Sequence, residues 1–338
     1  MTSEVTLDDV ADQSGVSRAT ASRALNDRDG VRDDVRERVH IIAKALGYRP
    51  NRAAKNLAGG RTSVIGLLIG REEIHADIYA VSLIQAVAKA AEDNDEGLML
   101  LLDSKEPTEA VQNLLSDGLV DGVIVSAVAV GERWVEELLD AHIPTVVVGS
   151  VPRRPGVAVV SVENLESSAT LVGHMLDGGC QRLAMITGPP NRLDAGHRTD
   201  GFRLAHARRS LPVDESLIIT GDYTKRTAYQ LADQLLDAGP DGVFGGNDET
   251  AVGVLRRATE RGITVPEELA IAGFDGTSAN EISGPRITTV QQPFQEMATK
   301  AVEALIAVIN GADGPQEQLV VPTVFYGQST HALEGPDA

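Results

Sequence analysis

The chain has 338 residues, of which 42% are hydrophobic and 23% charged, a composition typical of a globular protein with two or three domains. Its net charge is −19, and its single cysteine, Cys180, excludes an intrachain disulfide and a cysteine-based metal cluster. We find no secretory leader and no run of about 18 apolar residues, so we expect a cytoplasmic protein without a membrane span.

The charge is divided unevenly between a short N-terminal segment and the rest of the chain. Residues 1–61 hold 11 Lys and Arg against 9 Asp and Glu, a net charge of +2. The remaining residues hold 19 basic and 40 acidic side chains, a net charge of −21. Because DNA repels an acidic surface, any contact with nucleic acid is expected from the N-terminal segment.

The N-terminal segment predicts two short helices joined by a tight turn. Thr6 and Asp9 have the spacing of a capping box and predict the start of the first helix. Gly15 suits the left-handed conformation of the turn. Ser17 predicts the cap of a second helix, which extends from Arg18 to about Asn26.

The second helix is expected to have one buried and one exposed side. Ala21 and Leu25 are four residues apart and are expected to face the core. The outer side then carries Arg18, Ala19, Ser22 and Arg23. Arginine binds the O6 and N7 edge of guanine with two hydrogen bonds, so such a helix fits the major groove of DNA.

A third helix and a basic linker follow. The third helix is predicted from Asp33, its expected cap, to Leu46, with its apolar residues closing the core. Pro50 cannot continue it. A further helix of about two turns is predicted from Asn51 to Ala58, and a helix that short is marginal without a partner. The linker has no acidic residue, so a polyanion would stabilise it. Its basic residues are Arg49, Arg52, Lys55 and Arg61.

Three runs in this segment, Val5 to Ala11, Gly15 to Asn26 and Leu46 to Asn51, resemble the headpiece of the LacI/GalR family of transcriptional regulators. The resemblance implies a helix-turn-helix headpiece at 1–50 and a hinge at 51–61. It implies base contacts from Arg18, Ala19 and Arg23, and phosphate contacts from Ser17, Thr20, Ser22 and Asn26. In the hinge it implies DNA contacts from Asn51, Arg52 and Lys55, with Leu57 wedged into the minor groove.

From Ser63 onward, apolar runs alternate with helical segments, which predicts parallel sheets covered by helices in two similar lobes. The predicted strands are Val64–Ile69, Leu98–Leu102, Val123–Val125, Thr145–Val148, Leu183–Ile186, Leu217–Ile219, Gly242–Gly245 and Leu269–Ala272. The predicted helices are Ile78–Asp93, Thr108–Asp117, Glu132–Asp140, Ser167–Asp177, His197–Ala207, Thr224–Asp237, Asp248–Arg261 and Gln295–Asn310. Ligands of such sheets bind beyond the carboxyl ends of the strands.

This body is similar to the α/β two-lobed, periplasmic-binding-protein-like (type I) core of the same family. The motifs that carry the resemblance include Gly188-Pro189, Asn247-Asp248, Gly273-Phe274-Asp275 and Thr288 to Pro293. The resemblance implies an effector-binding and dimerisation core at 62–330. Its first lobe would cover about 62–162 and 292–322, and its second lobe about 163–291 and 323–330. A tail at 331–338 follows.

The resemblance also implies an effector site at the strand ends. Planar groups that form two hydrogen bonds, with one aromatic ring, suit a sugar. The implied contacts are Arg198, Tyr223, Asn247 and Asp275 from the second lobe and Ser126 and Gln292 from the first. Asn247 and Asp275 could instead cap helices or turns. Glu163, Ser167 and Gly276 depart from the usual family motifs and leave the class of effector open.

The sequence therefore indicates a DNA-binding transcriptional regulator rather than an enzyme, without a metal or cofactor. We expect a homodimer on near-palindromic operator DNA that represses carbohydrate-utilisation genes and is released by a small sugar or sugar phosphate. Strengthening of repression by the ligand is an open alternative. The competing hypothesis is a cytoplasmic carbohydrate-binding protein or enzyme with a helical appendage. The predicted recognition helix and basic hinge distinguish the two hypotheses, because an enzyme or a simple binding protein would need neither.

Overall fold

The computed structural model describes residues 5–25, 29–48, 61–70, 78–103, 109–126, 128–152, 154–277, 284–312 and 317–332. Contacts within the chain divide it into two compact units, Met1–Thr62 and Ser63–Ala338. Among the described residues, no helix is both long and apolar enough to cross a membrane.

In its described residues, the first unit, here called the headpiece, contains three helices: α1 (Leu7–Ser14), α2 (Arg18–Leu25) and α3 (Asp33–Leu46). The predicted capping box is confirmed, because the Asp9 amide donates to the Thr6 hydroxyl and the Thr6 amide donates to the Asp9 carboxylate. Gly15, at φ 66°, ends α1 in the predicted left-handed conformation. The small core consists of Val10, Ala11, Ala21, Ala24, Val35, Val39 and Ala43.

Two details of the headpiece differ from the prediction. Ala24, which was not predicted to be in the core, is fully buried, whereas Leu25 is half-buried at its margin. The predicted cap of α3 at Asp33 is wrong, because Arg32 takes the cap position and Asp33 is the first helical residue. Asp33 and Asp34 instead lie in the first turn, where the positive end of the helix dipole stabilises their negative charges. The predicted hinge helix, Asn51 to Ala58, lies outside the described residues.

The second unit, here called the core, contains two six-stranded sheets. The strands are β1 (Val64–Gly70), β2 (Gly97–Asp103), β3 (Gly122–Ser126), β4 (Thr145–Val148), β5 (Ala158–Val162), β6 (Leu183–Ile186), β7 (Ile218–Ile219), β8 (Gly242–Gly245), β9 (Ala270–Asp275), β10 (Thr288–Gln291), β11 (Gln318–Val320) and β12 (Thr323–Phe325). The helices are α4 (Ile78–Asp93), α5 (Glu109–Ser116), α6 (Trp134–Asp140), α7 (Asn164–Asp177), α8 (Leu193–Arg208), α9 (Lys225–Asp237), α10 (Asp248–Glu260) and α11 (Phe294–Ile309).

Each sheet forms the centre of one lobe. The first has the order β11-β5-β4-β3-β1-β2 and is parallel throughout. The second has the order β12-β10-β9-β8-β6-β7 and is parallel except for the pairing of β12 with β10. The chain therefore enters the second lobe after β5, and α11 and β11 belong to the first lobe again.

All eight predicted strands and eight predicted helices of the core are confirmed, with shifts at their ends. Strands β5, β10, β11 and β12 were not predicted as strands. Helices α7 and α8 begin three and four residues earlier than predicted, at Asn164 and Leu193. In α7 the Glu163 carboxylate caps the helix by accepting the Ser167 amide at 2.9 Å.

Candidate functional site

The first candidate site is the outer surface of α2 in the headpiece. Ser17, Arg18, Ala19 and Arg23 are exposed as predicted, whereas Thr20 is half-buried. Ser22 is half-buried too. The remaining predicted DNA contacts, Asn26, Asn51, Arg52, Lys55 and Leu57, lie outside the described residues.

Hydroxyl groups begin this helix. The Ser17 hydroxyl accepts the Thr20 amide at 3.1 Å and lies 2.9 Å from the Thr20 hydroxyl, so the predicted cap is confirmed. Both hydroxyls therefore lie at the amino-terminal end of α2. Backbone amides at such an end attract phosphate groups, so this geometry is compatible with the predicted phosphate contacts.

The two exposed arginines of α2 differ in their partners. Arg18 forms an ion pair with Asp8 on α1 at 2.9 Å, and the two side chains are 68% and 57% exposed. A pair this open to water contributes little and is easily exchanged for a phosphate or a base. Arg23 has no ion-pair partner among the residues that the structure describes.

The second candidate site is a cavity between the two lobes of the core. The structure brings five predicted effector residues together there, four from the second lobe and Gln292 from the segment between β10 and α11. Among the described residues, the lining is Tyr79, Gly149, Ser150, Val162, Asn164, Asp194, Arg198, Tyr223, Asn247, Asp275, Gln292 and Met297. Both lobes contribute, so one ligand in the cavity would contact both.

Arg198, on α8, is the buried cation at the centre of the cavity wall. Its Nε donates to Asn164 Oδ1 at 2.9 Å, and its Nη1 donates to the Gly246 carbonyl at 2.6 Å. Its Nη2 lies 3.2 Å from Asp275 Oδ1. The guanidinium carbon lies 3.7 Å from the centroid of the Phe274 ring, a cation–π contact. These contacts fix the orientation of Arg198 before any ligand binds.

Asp194, in the first turn of α8, is a further member of the site that sequence analysis did not identify. It accepts hydrogen bonds from Arg192 at 3.0 and 3.4 Å and from the Tyr223 hydroxyl at 3.2 Å. Arg198 Nη2 lies 4.0 Å away. Burial alone would raise the pKa of Asp194, but the charges of the two arginines outweigh burial and lower that pKa. Asp194 is therefore ionised.

Asp275 ends β9 and is buried beside Arg198. Its Oδ1 accepts a hydrogen bond from Gln292 Nε2 at 2.6 Å, in addition to its contact with the guanidinium. Burial raises the pKa of Asp275 to about 6, against the opposing effect of Arg198. Asp275 lines the cavity, where its carboxylate can accept a ligand hydroxyl.

Asn247 has a structural role in addition to its place in the cavity wall. Its Oδ1 accepts the Thr250 amide at 2.9 Å, so it caps α10, as the alternative interpretation of the sequence allowed. Its Nδ2 donates to the Tyr223 carbonyl at 3.0 Å. Tyr223 has a positive φ of 68°, which is unusual for a residue with a side chain, and the bond from Asn247 helps to hold it there.

Ser126 is the one predicted effector residue that the cavity lining does not include. It is buried at the end of β3, whereas the first lobe contributes residues near the ends of β4 and β5 together with Tyr79 and Met297. That Ser126 contacts the effector stays a prediction.

Among the described residues, four polar members of the lining were not predicted from the sequence: Tyr79, Ser150, Asn164 and Asp194. Only Asn164 had a visible signal, because it follows Glu163 in the motif that opens the second lobe. In the described part of the chain, no group of three or more His, Cys, Asp or Glu is placed to hold a metal ion.

Comparison with known proteins gives a family match in each of the two units of the chain. Residues 6–51 match the family described as bacterial regulatory proteins, lacI family, and residues 172–330 match a periplasmic binding protein-like domain. Catabolite control protein A of Priestia megaterium is 31% identical over 312 residues, which are 90% of this chain and 93% of that protein.

Two solved structures match over nearly the whole chain. A complex of the transcriptional regulator CelR with cellobiose is 27% identical, has a TM-score of 0.73 and covers 96% of this chain and 100% of that chain. The lac repressor dimer bound to operator and the anti-inducer ONPF is 24% identical, has a TM-score of 0.82 and covers 97% and 100%. At 24% identity, the similarity to the lac repressor is evidence for the fold alone.

The match over the whole length, together with the match of the headpiece, shows that the chain belongs to the LacI family of bacterial transcriptional regulators.

Proposed function

We propose that this regulator is a repressor of carbohydrate-utilisation genes, which leaves its operator when a small sugar or sugar phosphate occupies the cavity of the core. One observation carries the proposal: a single chain combines an exposed basic helix with a separate, buried cavity of polar side chains. The cellobiose bound to CelR supports a carbohydrate as effector. Because the protein acts on DNA, its place is the cytoplasm.

Every predicted site residue except Ser126 has a role in this proposal. Arg18, Ala19 and Arg23 read bases, and Leu57 enters the minor groove. The proposed phosphate and hinge contacts are Ser17, Thr20, Ser22, Asn26, Asn51, Arg52 and Lys55. In the core, Arg198, Asn247, Asp275, Gln292 and Tyr223 bind the effector, and the structure adds Asp194. The competing hypothesis of an enzyme or binding protein with an appendage assigns no role to the exposed arginines of α2.

A homodimer is proposed because a single headpiece makes few DNA contacts. The outer edge of the first lobe supports it, since Leu100 and Leu102 are exposed on the edge strand β2. Val81 is exposed on α4, which packs against β2. An edge strand with exposed apolar side chains favours association with a second copy.

The coupling between sugar and DNA follows from the position of the cavity. Arg198 and Asp275 belong to the second lobe, whereas Tyr79 and Ser150 belong to the first, so a sugar that binds both favours closed lobes. A ligand shifts the DNA equilibrium only when it binds the DNA-competent and incompetent states with different affinity. We propose that closure changes the distance between the two headpieces of a dimer and lowers operator affinity.

The test is a gel-shift titration of the full-length protein on DNA from upstream of its own gene, with and without a panel of sugars and sugar phosphates. A palindrome and its half-site are compared, and the palindrome should bind far more tightly. One member of the panel should weaken operator binding by wild type. Asp275→Ala should bind the operator normally and lose that response.

Asp177→Ala is the matched control, because it also removes a carboxylate paired with arginine in the second lobe, at an exposed site away from the cavity. It should respond like wild type. Failure of the wild-type protein to bind any of this DNA specifically would contradict the proposed repressor. An Asp275→Ala protein that still responds at wild-type sugar concentrations would remove Asp275 from the effector site.

A further inference from the structure

The carboxylates of the cavity affect which charge its ligand can carry. We propose, on the basis of the effector site proposed above, that the cavity selects an uncharged, hydroxyl-rich sugar over its phosphate ester, and that Asp194 is the residue that excludes the phosphate. The two classes of ligand differ by nearly two negative charges at neutral pH. The charges that surround the cavity therefore decide between them.

The cationic groups at the cavity are already neutralised by the protein. Arg198 contacts Asp275 at 3.2 Å, Asn164 at 2.9 Å and the Gly246 carbonyl at 2.6 Å. Arg192 donates two hydrogen bonds to Asp194. Two arginines thus face two buried carboxylates, and their charges cancel. A phosphate would have to displace one carboxylate from its arginine and then lie beside it.

The helix starts at the cavity are also occupied by side chains of the protein. Anions commonly bind at helix amino termini, where backbone amides and the helix dipole attract them. Three of the described helices, α7, α8 and α10, begin at or beside residues that line the cavity. The Glu163 carboxylate accepts an amide of α7, Asp194 lies in the first turn of α8, and Asn247 Oδ1 accepts an amide of α10. An anionic ligand therefore gains little at these helix starts.

A neutral sugar supplies hydrogen-bond donors, which the carboxylates of this cavity require. An ionised carboxylate only accepts hydrogen bonds, so a sugar hydroxyl can donate to it, whereas an ionised phosphate cannot. Asp275, Ser150 and Gln292 line the cavity, so a carboxylate, a hydroxyl and an amide are available to a ligand. The arrangement favours a ligand that donates several hydrogen bonds and carries no charge.

The test measures anion binding directly, without DNA. Inorganic phosphate, glucose and glucose 6-phosphate are titrated calorimetrically into full-length wild type, Asp194→Asn and Glu166→Gln, at a pH well above 6 so that Asp275 is ionised. Asp194→Asn keeps the shape of the side chain and removes its charge. Glu166→Gln is matched to it, since Glu166 is also in the first turn of a second-lobe helix and pairs with Arg208, but is exposed.

We expect no heat from inorganic phosphate or glucose 6-phosphate with wild type or Glu166→Gln at millimolar concentration. Asp194→Asn should bind phosphate at least about tenfold more tightly than wild type, because a like charge has been removed. If wild type binds phosphate as tightly as Asp194→Asn, or binds glucose 6-phosphate more tightly than glucose, the proposal is wrong. Asp194→Ser serves as the second variant if Asp194→Asn does not fold. These titrations do not measure operator binding, so a result that contradicts the proposed ligand class does not contradict the proposed repressor.

Discussion

The arginines of α2 in the headpiece and of α8 in the core are the same chemical group in opposite surroundings. Arg18 and Arg23 are exposed, and the one ion pair that Arg18 forms is open to water. Arg198 is buried, and its side chain is only 5% exposed, against 4% for its partner Asp275. Exposed arginines remain available to a polyanion, whereas a buried one is committed to its partners.

This difference separates the two proposed tasks of the chain. Affinity for DNA depends on exposed positive charge, and the core, with its net negative charge, offers little of it. Sensing of a small ligand depends on groups whose positions are already fixed, which burial and hydrogen bonding supply in the cavity. A substitution in one region should therefore affect mainly one task, and three substitutions test this separation.

The largest effect is expected from Arg198→Ala. Removal of this cation leaves the buried carboxylate of Asp275 without its counter-ion, and breaking such a pair from one side costs about 3–5 kcal/mol. Chemical denaturation of the full chain, followed through the transition of the core, measures the loss. Arg208→Ala removes an arginine paired with Glu166 at the surface of the same helix and should leave the transition nearly unchanged. A small effect of Arg198→Ala would mean that Arg198 is not the electrostatic centre of the cavity.

The sequence was most informative about the headpiece because its determinants are local. Thr6 and Asp9 are three residues apart, and Gly15 and Ser17 define the turn and the next cap within one short run. In the core, each predicted strand is either a run rich in apolar residues or a short segment between two helices that were themselves predicted. The missed strands β11 and β12 have three residues each and are specified by pairing with distant strands.

The cavity shows the same limit at the level of single residues. Arg198, Asn247 and Asp275 were predicted from family motifs at strand ends. Asp194 was not, because its place in the site depends on Tyr223, which lies 29 residues further along the chain. Asn164 is likewise brought to Arg198 across 34 residues. Such pairings follow from the packed fold: the Glu163-Asn164 pair marks the start of the second lobe, but nothing in the local sequence shows that Asn164 contacts Arg198.

A smaller effect is expected from Arg23→Ala. If Arg23 binds one guanine in each half-site, its loss should cost about 1–3 kcal/mol of operator affinity per half-site and relax the preference at that base pair. The stability of the core should not change. A titration against operators with each base replaced in turn gives both the affinity and the base preference.

Arg38→Ala is the control, since Arg38 is an exposed arginine on α3, and its loss should weaken binding to all DNA sequences alike. Unchanged affinity and specificity for Arg23→Ala would refute the assignment of α2 as the recognition helix.

The smallest effect, and the only expected gain, comes from Asp8→Asn. Asp8 pairs with Arg18 at 2.9 Å, and an exposed pair of this kind stabilises a protein by about 0–1 kcal/mol. Hydrogen exchange of the headpiece amides in the full chain should therefore change little. Operator affinity should rise, because a negative charge near the DNA is lost and Arg18 no longer has to break its ion pair with Asp8 before it contacts the DNA.

Asp12→Asn is the control. It removes the same charge from an exposed position on α1 and leaves the pair of Asp8 with Arg18 in place, so the difference in operator affinity between the two variants isolates the contribution of the pair. Equal gains would mean that only net charge matters, and a loss of affinity with Asp8→Asn would mean that Asp8 positions Arg18 for DNA rather than competing with it.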